Sequence, residues 1–486
     1  KKKWKAKMNS MGGEKDIPVL AADWPFLGHL TTFMSYPPDN HFPNHTKTFA
    51  ELQSSSFIVR APGIPARTYI LTIDPDIVKH ITSSKFGEIY EKGPKAKAQY
   101  QQFLGNGIFN VNGTEWQRHR NVTGSLFHTT SLREYISIFE ENAKRIFATI
   151  REISQNSPDY QNRGIDMQDY FMRYTLDSFA EIGFGVKLRS IEEEVNHFAI
   201  AFDKVQTQSE RRGRLGDLWP LWEKISPDRD YEQKLAYMNQ TVNSIIETRM
   251  NQDNETLAAS SDALSAIILK IRTEDAKYTN EELRDFVMNF LIAGRDTTAM
   301  LLTWTFYFLA VNPDVEAKVI AEINDVLGDE PLTFDNIKKL TYLKWVLQET
   351  LRLRPPVPVD GYTAKKDDVL PGGFRVKCGW EIYYISAIMH LRDDYFERPN
   401  DFWPERYKEP NGCKVGMNHS SVNIPFHFGP RTCLGREMAY EEAKIMVCAT
   451  LREGIRFRLH NNFCPEIKQS IILTAKNGMW MDISGP

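Results

Sequence analysis

Cysteine is scarce in this chain. Cys378, Cys413, Cys433, Cys448 and Cys464 show no paired framework and no close metal-ligand spacing, which excludes a disulfide-stapled scaffold and makes a reducing compartment the simpler expectation. Long apolar runs are missing too: none reaches 18 residues, so the chain as given encodes no membrane-spanning helix. Nor is there an excess of basic charge. Sixty Lys and Arg against 63 Asp and Glu leave a formal charge of −3, and a nucleic-acid partner has no electrostatic footprint to meet. Repeats and low-complexity tracts are absent, and no Gly-rich phosphate loop opens a strand–helix unit, so neither a flavin nor a nicotinamide domain is expected.

What is present suits a folded core: 42% apolar and 25% charged residues are the ordinary balance of a globular protein, which rules out disorder. The 486 residues would suggest about three domains, but no linker divides them, and one mainly α body with a small β portion is expected. Strand-like segments run from Ser56 to Arg60 and from Thr68 to Ile73, with more after residue 360 where Gly372-Gly373 and Gly379 punctuate short apolar runs. Between about 130 and 355 the period is helical, broken at a loop around Trp219-Pro220 and at the polar stretch Asn251 to Asp262. Thr279 and Glu282 form a capping box for a helix running to Asn312-Pro313, roughly 50 Å long at 1.5 Å per residue. A second helix carries Leu340, Leu343, Leu347 and Leu351 on one stripe and stops at Pro355-Pro356. The start, Lys1-Lys2-Lys3-Trp4-Lys5, with Trp24-Pro25-Phe26-Leu27-Gly28 after it, reads either as an approach to an anionic membrane surface or as a solvated tail.

Chemistry concentrates in Phe426-His427-Phe428-Gly429-Pro430-Arg431-Thr432-Cys433-Leu434-Gly435, which feeds the helical pattern Arg436 to Thr450. A cysteine ahead of a helix N-terminus is expected to favour the thiolate. Gly429 and Gly435 allow close backbone approach to a flat cofactor, Phe426 can shield the sulfur, and Arg431 can pair with a cofactor carboxylate. Cys448, on the following helix, reads as an inert buried thiol.

This ten-residue stretch resembles the haem-binding signature of the cytochrome P450 family at every fixed position. The resemblance covers nearly the whole chain and implies that family's triangular helix-rich fold, with haem b (iron protoporphyrin IX) between a long central helix and the cysteine loop. It also implies Cys433 as the axial iron ligand, where thiolate donation favours O–O cleavage. Residues 1–24 would be a basic N-terminal segment and 25–486 a single haem domain.

Further motifs fall into place around it. Ala293-Gly294-Arg295-Asp296-Thr297-Thr298 interrupts the long helix with residues of poor helix propensity, and a local distortion is expected there. It resembles the family's oxygen-activation motif: Thr297 would hold water or dioxygen, Asp296 would connect to a proton source, and Ala293 and Gly294 would leave room above iron. Glu349 and Arg352 can pair at i,i+3, and the resemblance links them to Arg406 in a buried structural network. Trp116 and Arg120 share a helix face at i,i+4, and residues so placed in the family bind a haem propionate. One departure stands out. Many members carry a basic propionate partner after the Pro-Pro turn, whereas this chain reads Val357-Pro358-Val359-Asp360-Gly361-Tyr362, which leaves open what completes the clamp.

The Ala293–Thr298 motif, Pro356-Val357-Pro358-Val359-Asp360 and Lys366-Asp367-Asp368-Val369-Leu370-Pro371 are similar in particular to the eukaryotic clan of fatty-acid and alkane hydroxylases. A long-chain fatty acid is the substrate this implies, with steroids or terpenoids as alternatives. A hydroperoxide isomerase or dehydratase, or a haem-thiolate gas sensor, would be rivals. Pocket positions by analogy of place are Phe103, Leu104, Ile108, Phe290, Val357, Val359, Ile471 and Ile472, each of which could equally be core. The resemblance further implies electrons from NADPH through a separate cytochrome P450 reductase, cytochrome b5 as a further partner, and a place on the cytosolic face of the endoplasmic reticulum membrane with the anchor lying outside this chain.

Overall fold

The computed structural model describes residues 16–485 apart from 22–23, 25–26, 38, 64–66, 274–277 and 409–420. The basic start, Pro25-Phe26 and Cys413 lie outside the described residues.

Nine helices matter for the site: α1 (Pro94–Leu104), α2 (Gly113–Gly124), α3 (Thr129–Asn156), α4 (Met167–Phe184), α5 (His197–Leu215), α6 (Arg229–Met250), α7 (Asn280–Val311), α8 (Thr341–Leu353) and α9 (Arg436–Arg452). Helix α7 begins as its sequence dictates. Thr279 accepts from the Glu282 N–H at 3.1 Å while the Glu282 carboxylate accepts from the Thr279 N–H at 2.8 Å, satisfying two donors that a helix start otherwise leaves orphaned. Its 32 residues bury side chains around the whole circumference, the signature of a helix passing through the interior. Helix α4 packs along it, and α9 packs on α3 and crosses α7.

The β portion is a five-stranded sheet in spatial order β1 (Ser56–Ala61), β2 (Arg67–Thr72), β5 (Glu381–Ile385), β4 (Val359–Ala364), β3 (Tyr90–Glu91). Only the β2–β5 pair is parallel, in register Tyr69↔Glu381; β4 pairs antiparallel with β5 and β3. This sheet carries the chain past the Pro-Pro turn to one edge of the site.

Two sequence expectations give way. Trp219-Pro220 is the first turn of a short helix, Trp219–Ile225, because proline near N1 forgoes an N–H that no helical carbonyl would have received. The polar stretch after Asn251 contains the helix Asn254–Ala259, which Asp253 caps by accepting from Thr256 N–H at 2.7 Å. No described helix is long and apolar enough to cross a membrane.

Candidate active site

The cysteine loop is tied to itself and seated on its neighbours. Cys433 N–H donates to Phe426 O at 2.9 Å and Thr432 N–H to Gly429 O at 3.0 Å. At Gly429, φ is +77° and a Cβ would lie 2.0 Å from Thr82 O, so only glycine lets the loop rest on the turn His80–Ser84. Gly435 caps α9, and a Cβ there would sit 3.9 Å from Cys433 Sγ and 3.3 Å from the Phe127 ring. Phe426 turns its ring toward Tyr440, centroids 5.3 Å apart.

Cys433 is open to a water-sized probe although it lies deep in the molecule. Burial pushes its thiol pKa up, against the Gly435 N–H and the guanidinium groups of Arg120 and Arg436. In the chain alone, desolvation outweighs those contributions to the thiolate that the helix N-terminus was expected to favour. The long helix shows the matching opening. From 291 to 306 every residue is buried except Ala293, which is exposed, and Thr297, which is half-buried. Four residues apart, they share one face, and the Thr297 hydroxyl donates to Ala293 O at 2.6 Å. That leaves one accessible space beside an otherwise buried stretch of helix. Phe127 spans the gap, touching the Gly435 position on one side and the Phe290 ring, at 6.4 Å, on the other.

Gly294 does not open onto that space. A Cβ there would lie 2.0 Å from the Phe179 ring, so this glycine admits α4, and Ala293 alone leaves room. The helix runs unbroken through the motif, and Thr175 Oγ1 on α4 donates to Arg295 O at 2.7 Å.

At the edge of the site Arg431 lies over the Trp116 ring at 4.9 Å and donates to Ile108 O at 3.3 Å, to Asn112 Oδ1 at 2.9 Å and to Val111 O. Its Nε is buried without a partner. Arg120, 5.6 Å over the other part of Trp116, donates to Thr432 O at 3.0 Å. Neither guanidinium bonds a carboxylate, an arrangement that suits an anionic group entering between α2 and the loop.

Behind α7 runs a second charged line. Arg295, fully buried, donates from Nη1 to Asp296 Oδ1 at 2.9 Å and to Asp203 Oδ1 on α5 at 2.7 Å; Asp203 is 57% exposed. Burial pushes the Asp296 pKa up to about 6, opposed chiefly by Arg295 and by a hydrogen bond from Gln206. A carboxyl poised there can take and release a proton near neutral pH.

Beneath the site Glu349 receives Arg352 Nη2 at 2.7 Å and Arg406 Nε at 2.9 Å, all three side chains excluded from solvent. Arg352 also donates to the carbonyls of His390 (2.9 Å) and Pro399 (2.7 Å), and Trp403 N–H to Glu349 at 3.0 Å. The network clamps α8 to the segment leading into the cysteine loop.

A family model described as cytochrome P450 matches residues 18–480. The chain belongs to the cytochrome P450 family. It is 30% identical to cytochrome P450 704B1 of Arabidopsis thaliana over 95% of this chain and 94% of that one, and 29% identical to the alkane hydroxylase MAH1 of the same plant over 96% and 93%. Cytochrome P450 4V2 of Homo sapiens is 26% identical over 96% and 90%. The crystal structure of the cytochrome P450DA heme domain superposes with a TM-score of 0.83 over 97% of this chain and 98% of that one, at 23% identity, a likeness of fold. The chain is thus a P450 monooxygenase, and the family's cofactor is haem iron. The residues present fit that group: an accessible thiol at Cys433, an accessible spot at Ala293 and Thr297, and at Arg431 a half-buried guanidinium with one buried, unpartnered N–H.

The pocket positions divide. Phe103 is buried edge-on to Phe202 at 5.1 Å, and Phe290 is buried with Phe179 (5.4 Å), Phe184 (6.0 Å) and Phe286 (5.9 Å) around its ring. Leu104 and Ile472 are buried, while Ile108, Val357, Val359 and Ile471 remain half-buried. Two open clefts of about 330 and 300 Å³ lie among α1, α5, α6 and the start of α7 and share no residue with the P450 site. Sequence reading missed Arg295 and Asp203. The signal for Arg295 was there, a charged residue beside Asp296 in an otherwise apolar helix; for Asp203 there was none.

Proposed function

We propose that this P450 hydroxylates a long-chain fatty acid. The observation that carries the reading is the accessible spot at Ala293 and Thr297 on the otherwise buried middle of α7; similarity to an alkane hydroxylase favours a linear aliphatic chain beside it. Cys433 would ligate the iron, Arg431, Trp116 and Arg120 would hold the propionates, Phe426 and Gly435 would border the sulfur, and Glu349, Arg352 and Arg406 would support the loop. When bound, haem iron supplies dioxygen activation and receives the electrons.

Insertion of one oxygen atom into a C–H bond releases the other as water and consumes two electrons and two protons. Thr297 Oγ1, tethered to Ala293 O, holds a water or dioxygen at the open spot. Asp296 would take up and hand on protons beside it, held in place by Arg295, whose guanidinium stays protonated and bridges it to Asp203 at the surface. The electrons come from NADPH through a separate reductase, with cytochrome b5 as a further donor. Exposed Trp24, Leu27 and Met34 near the start, and Leu218 with Leu221, Trp222 and Ile225 of the short helix after it, belong to segments whose Gly28 and Gly216 adjoin the end of β1, and exposed apolar side chains of this kind favour seating on the endoplasmic reticulum membrane. Residues 25–486 form the haem domain.

Reduced protein under carbon monoxide should give the red-shifted Soret band of a thiolate-ligated haem, lost in Cys433→Ser; a haem–histidine spectrum would reject the ligand. Spin-state titration with fatty acids, steroids and terpenoids then decides the substrate, and a shift confined to steroids or terpenoids overturns the fatty-acid reading. The buried Asp296 beside Thr297 favours an oxygenase over a hydroperoxide isomerase. Product from a lipid hydroperoxide without NADPH would reverse that preference.

A further inference from the structure

Lys92 follows strand β3 and points along the sheet edge to the same spot as Arg431. Its Nζ pairs closely with Asp360, donates to Gly361 O at 3.1 Å and stands 4.5 Å over the Tyr362 ring. Its backbone is pinned by a two-way bond with Asn112, N–H to Oδ1 at 3.1 Å and Nδ2 to O at 2.8 Å. The same Asn112 Oδ1 accepts from Arg431, so one side chain positions both cations.

The charges here do not balance. Lys92, Arg120 and Arg431 converge, each within electrostatic reach of the next, and the carboxylate bonded among them is Asp360. Glu91, close by, is engaged by Lys365 at 3.0 Å. His427 is held by the Tyr384 hydroxyl at 2.7 Å, lies 3.6 Å from Asp360, and has its pKa lowered by burial against that carboxylate. Three cations against one carboxylate leave a surplus of two positive charges, and two buried polar groups, Arg431 Nε and Tyr362 Oη, have no partner. Half-buried cations and spare buried donors in this number call for a dianion, and a porphyrin with two propionates is one.

We propose that Lys92 is a propionate-binding residue of this P450, braced by Asp360 and Asn112, and that it replaces the cation missing from β4, where Asp360 stands. The inference rests on the haem reading of the site. A plainer role would be for Lys92 merely to neutralise Asp360, and a paired substitution separates the two.

Wild type, Lys92→Met and the double variant Lys92→Met/Asp360→Asn are loaded with haem, and haem transfer to excess apomyoglobin is timed beside thermal melts of each apoprotein. The double variant should melt like wild type yet release haem about tenfold faster or more, the scale of one lost charge-assisted bond. Loaded instead with the dimethyl ester of iron protoporphyrin, the two should release at rates within about twofold, since no propionate charge is left to hold. Equal haem release by wild type and double variant, or a gap that persists undiminished with the diester, overturns the proposal while leaving the haem site intact. A wild-type chain that takes up no haem overturns both.

Discussion

Around Glu349, two buried guanidinium groups share a carboxylate and their remaining N–H groups reach carbonyls of His390, Glu397, Arg398, Pro399 and Asp401. Around Arg431, three cations converge, only Lys92 bonds a carboxylate, Asp360, and donors are left over. The two clusters flank the same cysteine loop, yet the first is complete within the chain and the second is not. A satisfied network holds the fold by itself, whereas an unsatisfied one is tolerated because something else completes it. Stability and cofactor retention should therefore part company between them.

The sharpest break is Glu349→Gln, which strands two buried guanidinium groups; about 3–5 kcal/mol of unfolding free energy should vanish, read as a fall in the urea midpoint of the apoprotein. A loss under about 1 kcal/mol would mean the cluster is not complete in the sense argued.

Acid should act on the same cluster. His390 accepts from Ile424 N–H at 3.0 Å and faces Arg352 O at 3.2 Å, and burial lowers its pKa to about 3, with Arg352 pushing the same way. The unfolded chain takes this proton first, so the contribution is fully present above about pH 6.5 and falls as pH drops toward 3. That amounts to about 2 kcal/mol lost by pH 5. His390→Gln should flatten this part of the acid limb in denaturation at stepped pH.

Arg431→Met probes the incomplete cluster. The apoprotein should lose only about 1 kcal/mol, from unpaired carbonyls at Ile108 and Val111, while haem release accelerates by a larger factor; similar losses in both would erase the contrast. Smallest of all, Thr297→Ala deletes a hydroxyl that bonds its own helix, and stability should stay within about 0.5 kcal/mol. Its expected effect is on coupling: hydrogen peroxide should rise per NADPH consumed at the expense of product.

Much of this was local and so could be read. The capping box at Thr279 and the stop at Asn312-Pro313 bound α7 because helix ends are specified by residues within a turn of them. The cysteine loop, its two glycines and the helix behind it are likewise one contiguous stretch. Periodicity failed where its cues were ambiguous: Pro220 starts a helix as readily as it ends one. At Gly294 a small residue in the right motif could not say which face it served, and the Phe179 ring decided that.

By itself, then, the order of residues determined where helices begin and end, which cysteine stands before a helix, and which family the chain resembles, since each depends on neighbours a few positions apart. Tertiary structure decided that Lys92 meets Asp360 across 268 positions and that Arg295 reaches Asp203 across 92. Such pairs are chosen by how helices and sheet pack, and burial then sets their energies, because a charge removed from water is governed by whatever the fold has brought beside it.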